Sequence, residues 1–378
     1  MLAIIKSIYI LKKVFENVEK NRYLQILHRN KNLQKRLNLS LDTYKEYYNQ
    51  IEIEIIPKEN IDEDKNIFIN ESKVFDGKVY FNTSFEKGEK RYYFNKNENI
   101  TKIRLLMNTK GEPISLSSLF ENVQCIKEVK IIHCAQTNVN DISNLFFNCK
   151  SLVSANLSRL KCDNITNMAR TFGMCLSLKN VNLLRIKTLH LTNMEHMFVN
   201  CSSLENIDLS DIETDRVINM KGLFNGCLTL KELNLRHFNT SQVTDMEFMF
   251  KDCKLLTELY LLNFNTEKVT TMSGMFYGCT SLKNLKINTF NTKNVLFMPN
   301  MFAKCSSLEV LNIDNFNTSN LKSMWNMFAN CTVLFDLDIS KFDLSNVENM
   351  EGAFYNCLAD LIKKVISQNK YLGKEAFK

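Results

Sequence analysis

A chain of 378 residues that is 45% hydrophobic and 24% charged has the composition of a globular protein, neither disordered nor collagenous. Glycine (10) and proline (3) are scarce, which disfavours glycine-rich phosphate loops and folds with many tight hairpins. Most of the formal net charge of +7 lies in the first 50 residues, where ten basic residues outnumber four acidic ones. The rest of the chain lacks the concentrated basic face of a nucleic-acid-binding protein, so no nucleic-acid partner is expected.

The amino-terminal segment, residues 1–50, predicts basic amphipathic helices. Apolar residues recur at spacings of three and four between residues 5 and 34 with lysines opposite them, and residues 38–48 predict another helix. Lysines interrupt the apolar opening where a signal peptide would be continuous, and no apolar run is long enough to span a membrane. We therefore expect no transmembrane segment and a cytoplasmic location.

The spacing within this segment resembles an F-box, the helical motif that docks an adaptor of cullin ubiquitin ligases. The resemblance covers Ile10-Leu11-x-x-Val14-Phe15-x-x-Val18, although the leucine-proline start of the motif is absent. It implies Leu11, Val14, Phe15 and Val18 as an adaptor-docking face within residues 1–45. A peripheral membrane anchor is another interpretation of the same helices.

Residues 51–98 predict a β-rich capping segment. Ile51, Ile53 and Ile55 alternate with polar residues, which is typical of a strand with one buried face. Further strands are predicted at 67–70, 78–85 and 91–95. Such strands can cover the open edge of the repeats that follow.

The region 99–357 is a repeat with a period of 26 residues. Cysteine recurs at this constant spacing, which a disulfide framework does not require. A phenylalanine precedes each cysteine by three residues. Counting back in steps of 26 residues, the apolar pattern of the repeat reaches Ile103 and Leu105, which gives ten predicted coils. The cysteines of the repeat are Cys149, Cys175, Cys201, Cys227, Cys253, Cys279, Cys305, Cys331 and Cys357.

Two shorter periods predict how each coil folds. The Leu-x-Leu pair, as at Leu233 and Leu235, predicts one short strand. The segment with Met246, Met249, Phe250 and Cys253 has the i, i+3, i+4, i+7 spacing of a short helix. The residue before its first methionine is mostly Asn, Asp, Ser or Thr, as at a helix start.

The helix is predicted to end in a left-handed residue, since Asn or Gly often stands just before the cysteine, as at Asn148, Asn200, Asn330, Gly226 and Gly278. In one coil the starting column instead holds Phe297, followed by Pro299. No coil can bury its apolar stripe alone, so the coils must stack.

The predicted fold class is therefore α/β, a leucine-rich-repeat solenoid with one strand and one helix per coil. The segment F-N-T-S-x-V-T-D-M-x-x-M-F-x-x-C, at 238–253, resembles the repeat of the BspA-like leucine-rich-repeat surface protein family. That resemblance implies a non-enzymatic surface module for adhesion or protein binding, which makes the cell surface the alternative location.

Residues 358–378 predict a carboxy-terminal capping helix and tail. Leu361, Ile362, Val365 and Ile366 lie on one helical face. This helix would cover the far end of the stack.

The sequence contains no arrangement typical of catalysis, cofactor binding or metal binding. No C-x-x-C occurs, the five histidines are not paired at ligand spacing, and the cysteines belong to the buried stripe. We expect a protein that is not an enzyme, with no cofactor and no metal.

Binding is expected on the outward positions of the strands, on the concave face that a leucine-rich-repeat fold would have. One coil presents Glu258, Tyr260 and Leu262 beside Arg236 and Lys286, and aromatics next to cations are typical of interaction hot spots. Single exposed apolar residues are also ordinary on protein surfaces. The only tryptophan, Trp325, is predicted on the solvent side of a helix as a second contact.

The predicted function is non-catalytic binding of a protein ligand. Two alternatives stay open, an F-box-like substrate receptor of a ubiquitin ligase and a purely structural scaffold.

Overall fold

The computed structural model describes residues 31–36, 49–59, 64–73, 76–82, 88–109, 112–134 and 139–378. In the amino-terminal segment it describes one short helix, α1 (Lys31–Arg36), which buries Leu33. The predicted helices of residues 5–30 and 38–48 lie outside the described residues. So does the F-box-like set Leu11, Val14, Phe15 and Val18.

An antiparallel sheet caps the amino-terminal end of the repeats. It is formed by β1 (Gln50–Pro57), β3 (Gly77–Phe81), β5 (Ile103–Asn108) and the first strand of the repeats, β7 (Ile126–Cys134). A separate two-stranded sheet is formed by β2 (Lys65–Ile67) and β4 (Tyr93–Asn95). β1 lies between β5 and β7 and pairs antiparallel with both, and β3 covers the other edge of β5. β2 pairs with β4, and a 3₁₀ turn at Lys96–Glu98 follows β4. Ile51, Ile53 and Ile55 are buried, as their alternation predicts.

The parallel stacking begins later than the repeat phase predicts. Ile103 and Leu105 lie on β5, which pairs antiparallel with β1 and β3 instead of forming a coil. The apolar alternation is the same in both arrangements, so the phase alone does not distinguish them. β7 is the strand of the first stacked coil, because it pairs antiparallel with β1 on one edge and parallel with the next coil on the other.

The Leu-x-Leu positions of successive coils form one side of the solenoid, here called the strand wall. The strands pair parallel with their counterparts 26 residues away, as Leu259 does with Leu285. At Leu209 and Leu235 no strand forms, although both side chains are buried. The strands are β9 (Ser154–Asn156), β10 (Asn180–Asn182), β11 (Glu258–Tyr260), β12 (Asn284–Lys286), β13 (Val310–Leu311) and β14 (Asp336–Leu337).

A second side of the solenoid, here called the bridge wall, is held by single parallel β-bridges. They run without interruption from Asp141 to Asn349, at every coil, in eight steps of 26 residues. Near the start of this wall, β6 (Ile114–Ser115) pairs parallel with β8 (Val139–Asp141). The molecule is therefore a β-solenoid.

The helix predicted for each coil is wrong, because a pair of turns takes its place. Each turn segment contains two residues with positive φ four positions apart, such as Phe248 (56°) and Asp252 (57°), and these interrupt a right-handed helix. Every second N–H group of the segment donates to a carbonyl of the next coil. The Phe248 N–H donates to the Ser273 carbonyl at 2.9 Å, and the Phe250 N–H donates to the Met275 carbonyl at 2.9 Å. The intervening N–H groups donate three residues back within the coil.

The burial predicted for this segment is nevertheless confirmed. Met246, Met249, Phe250 and Cys253 are all fully buried. The predicted left-handed residues are also confirmed, with φ between 56° and 77° at Asn148, Asn200, Asn330, Gly226 and Gly278. The coils of residues 139–357 have β-bridges on the side where helices were expected, so both walls stack at strand spacing. In a leucine-rich-repeat fold, a wider helical side bends the sheet and gives it a concave face. These coils lack that helical side, so the predicted concave face is missing from them.

Identical side chains form ladders through the core. Phenylalanine rings from Phe120 to Phe354 stack on one another with centroids 5.2–5.9 Å apart, and such pairs contribute about 0.5–1.5 kcal/mol each beyond their burial. Each repeat cysteine donates its S–H to the carbonyl of the phenylalanine 29 residues earlier, with S···O distances of 2.8–3.3 Å. Burial raises the pKa of the Cys227 and Cys279 thiols to about 12.

A ladder of buried threonines joins successive coils at a corner of the solenoid. The Thr266 hydroxyl donates to the Asn291 carbonyl at 2.9 Å and accepts from the Asn291 N–H at 2.8 Å. Each threonine hydroxyl takes the place of a backbone group as hydrogen-bond partner of a residue in the next coil. The hydroxyl can therefore be buried without leaving a hydrogen bond unmade. The members are Thr188, Thr214, Thr240, Thr266, Thr292 and Thr318.

The carboxy-terminal helix is confirmed as α2 (Ala359–Gln368), which buries Leu361 and Val365. A 3₁₀ turn at Lys374–Phe377 then continues the stack: the Phe354 N–H donates to the Ala376 carbonyl at 2.7 Å, and the Phe377 ring stacks on Phe354 at 5.9 Å. The tail therefore occupies the place of a further coil.

Candidate functional site

The strand wall brings most of the predicted binding residues together. β11 and β12 pair with Glu258 opposite Asn284 and Tyr260 opposite Lys286. Because alternate residues of a strand point to opposite faces, Leu259 and Leu285 are buried while these four face outward. Leu262 follows on the same side and is 50% exposed, and Tyr260 is 40% exposed.

Hydrogen bonds hold Tyr260 in place through Glu258. The Tyr260 hydroxyl donates to Oε2 of Glu258 at 2.9 Å, and Nδ2 of Asn284 donates to Oε1 at 2.9 Å. The Glu258 carboxylate raises the pKa of Tyr260, while the positive charge of Arg236, one coil below, acts in the opposite direction. The phenol is thus a neutral, oriented donor with an exposed ring.

The position of Tyr260 normally has a structural role. In six coils the equivalent residue is Asn or Asp, whose Oδ1 accepts the N–H two residues later at 2.8–3.2 Å and closes the turn after the strand. Tyr260 and Lys286 replace it in two neighbouring coils. Lys130 also replaces it, but there β7 continues and no turn follows. The residues with the turn-closing role are Asn156, Asn182, Asp208, Asn234, Asn312 and Asp338.

A cleft of about 490 Å³ adjoins this group between β12 and β13. The repeat places Asn284 opposite Val310, yet β11–β12 and β13–β14 are separate two-stranded sheets, so the strand ladder is interrupted there. Lys283, Lys286 and Glu309 line the cleft together with three asparagines and Val310. Sequence reasoning missed Lys283 and Val310; the apolar Val310 in a column that is otherwise mostly polar is the signal that could have indicated them.

Trp325 does not join this group. It lies in a turn segment on the bridge wall and not on a helix, with 41% of its surface exposed. It adjoins Pro299 of the preceding coil, because the Asn300 N–H donates to the Trp325 carbonyl at 2.7 Å. Phe297 and Leu296 are exposed on the same wall, so Trp325 belongs to a separate apolar patch.

Pro299 explains why Phe297 can interrupt its column. In other coils the bridge residue accepts the N–H two positions later, as Asp245 does from Glu247 at 2.8 Å. Proline has no N–H to be accepted, so an apolar residue at 297 leaves no donor unsatisfied. The side-chain oxygen of this column accepts an N–H, as the sequence predicts, but the predicted helix start is wrong because the hydrogen bond closes a turn.

Within the part of the chain that the structure describes, no three His, Cys, Asp or Glu side chains are grouped so that they could hold a metal ion. None of the helices placed there is sufficiently long and apolar to cross a bilayer.

The fold and the site define a class: a β-solenoid of 26-residue coils that displays an ordered set of exposed side chains on one wall. The chain belongs to the family described as Mycoplasma protein of unknown function, DUF285, whose model matches residues 114–207, 177–261 and 256–367, about two thirds of the chain. No curated protein matches the chain.

Proposed function

We propose that this protein is a non-catalytic binding module that holds a protein ligand on its strand wall, around Tyr260 and Lys286. The observation that carries the proposal is the replacement of a turn-closing Asn or Asp by tyrosine and lysine in two neighbouring coils. A residue that serves only the fold would keep the side-chain oxygen that six other coils use. The replacement places an exposed aromatic ring and a cation side by side.

The scaffold favours binding by making these side chains rigid. The buried phenylalanine and threonine ladders fix each coil against the next, and Glu258 fixes the phenol of Tyr260. Ordering a side chain before binding reduces the entropy cost of association. Tyrosine and arginine are also the residues most often found at the energetic centres of protein interfaces.

The test is the double variant Tyr260→Ala with Leu262→Ala, used as bait in affinity capture from the source cells with quantitative mass spectrometry. We expect the captured partner to fall at least about tenfold, because truncating interface anchors costs about 2 kcal/mol or more. The melting temperature should stay within about 2 °C, since both side chains are exposed.

The matched control is Leu184→Ala with Tyr355→Ala. Leu184 occupies the column of Leu262 three coils away, and Tyr355 is an equally exposed tyrosine elsewhere. It should capture as much partner as the unmodified chain. Equal capture by the Tyr260 and Leu262 variant would refute the proposal.

Finer versions of the proposal differ in the location of the protein. The resemblance to BspA-like repeats supports an adhesion module at the cell surface, and the other version is a cytoplasmic binder. Labelling of intact cells with an impermeant reagent separates the two. The ubiquitin-ligase receptor stays a prediction, which co-purification of an adaptor through residues 1–45 would test.

A further inference from the structure

Three cations on the strand wall differ from two lysines near them. Lys231 pairs with Glu205 at 2.7 Å, and Lys364 pairs with Asp336 at 3.1 Å, so each of these two lysines faces a carboxylate. Arg236, Lys283 and Lys286 are exposed, and none of them forms an ion pair with any residue in the described ranges. Their charges are therefore available to a ligand.

Two of these cations line the cleft between β12 and β13. Of the nearby carboxylates, Glu258 is already held by the Tyr260 hydroxyl and by Asn284. Glu309 lines the cleft, and it lies one coil away from Lys283 without forming an ion pair with it. The cleft thus combines two lysines with one carboxylate.

The remaining lining suits an extended chain. The side-chain amides of Asn284, Asn288 and Asn312 offer both donors and acceptors, which match the N–H and C=O groups of a peptide backbone. Val310 is 47% exposed and presents the apolar contact on this stretch of wall. The interruption of the strand ladder leaves the room that such a segment needs.

We infer that this cleft binds an extended acidic segment of the protein partner, with its carboxylates between Lys283 and Lys286 and an apolar side chain on Val310. The inference rests on the proposed function and specifies the chemistry of its ligand. A nucleic acid fits less well, because two lysines beside Glu309 form a short cationic patch, whereas a row of phosphates is bound by a longer basic face.

The experiment measures fluorescence anisotropy of a labelled short peptide of alternating glutamate and valine, titrated with the full chain at low and at physiological salt. We expect saturable binding that weakens with salt. The double variant Lys283→Glu with Lys286→Glu should bind at least about tenfold more weakly, a change of about 1.4 kcal/mol. Lys254→Glu, an exposed lysine outside the cleft, should bind like the unmodified chain.

Other results would overturn the inference. A glutamine–valine peptide that binds equally well would show that the carboxylates are not recognised. Tighter binding of a labelled single-stranded oligonucleotide, competing with the peptide, would assign the cations to nucleic acid. If charge reversal leaves both peptide and partner binding unchanged while the Tyr260 variant loses its partner, the inference fails and the proposed function stands.

Discussion

The buried threonines show how single residues connect the coils. A hydroxyl can donate and accept at once, and Thr292 uses both capacities on the coil that follows: from a fully buried position it donates to the Asn317 carbonyl at 2.8 Å and accepts from the Asn317 N–H at 2.8 Å. Asparagine and glycine have a different role, because they adopt the positive φ that every turn segment requires twice. Eight asparagines and five glycines lie at these turn positions, although residues such as Arg170 and Phe248 also adopt a positive φ there.

At the residue scale we predict that Thr266→Val lowers the free energy of unfolding by about 1–3 kcal/mol. Valine has nearly the same shape but removes the hydroxyl that pairs with both the Asn291 N–H and the Asn291 carbonyl at this part-buried site. Chemical denaturation measures the change. Thr270→Val is the matched control: its hydroxyl is exposed, and the change should be within about 0.5 kcal/mol. Equal stabilities for the two variants would contradict the role of the ladder.

The elements of this protein are defined by their neighbours more than by their own sequence. The segment from Met246 to Cys253 has helical spacing, yet its N–H groups find acceptors on the next coil and it becomes two turns. No further coil follows the last one to accept its N–H groups. The Lys374–Phe377 turn instead supplies the carbonyls that accept the Gly352 and Phe354 N–H groups. The tail thereby covers an edge that could otherwise pair with another chain.

At the element scale we predict that Phe377→Ala destabilises the protein by about 1–3 kcal/mol. The ring is half-buried against Phe354, so the loss should be smaller than the roughly 3–5 kcal/mol of a fully buried phenylalanine. Hydrogen exchange should show faster exchange at the Gly352 and Phe354 amides first. Tyr371→Ala, in the same tail but 52% exposed, should leave both amides protected; a similar loss there would show a general effect of the tail.

At the scale of the whole molecule, the coils of residues 139–357 form a one-dimensional stack, and this organisation explains their stability. Each coil contacts the coils before and after it through the same ladders, so stability is a sum of nearest-neighbour terms. The outward positions are then free to vary without disturbing the core. That freedom allows Tyr260, Lys286 and the cleft to differ from the equivalent positions elsewhere.

At the scale of the whole molecule we predict that deleting one complete coil, residues 181–206, leaves a folded protein. Asn180 then joins Ile207, and every ladder stays in register because the deletion equals one period of 26 residues. Circular dichroism and a cooperative melting transition would confirm folding.

The control is the deletion of residues 181–205, which shifts the following columns by one residue and turns buried side chains toward solvent. It should not fold cooperatively. Equivalent behaviour of the two deletions would contradict a stack held by aligned ladders.

The sequence by itself determined the period, the burial and the left-handed residues. The columns of Phe276, Cys279 and Leu285 specify a stacked apolar core because no coil can bury them alone, and Asn or Gly before most of the repeat cysteines specifies the left-handed residue. Only the tertiary structure decided the rest. The spacing of Met246 to Cys253 is compatible with a helix or with turns, and the hydrogen-bond acceptors of the neighbouring coil select the turns. The Ile103 strand and the cleft beside Lys283 likewise depend on which strand pairs with which, and a repeat phase does not carry that information.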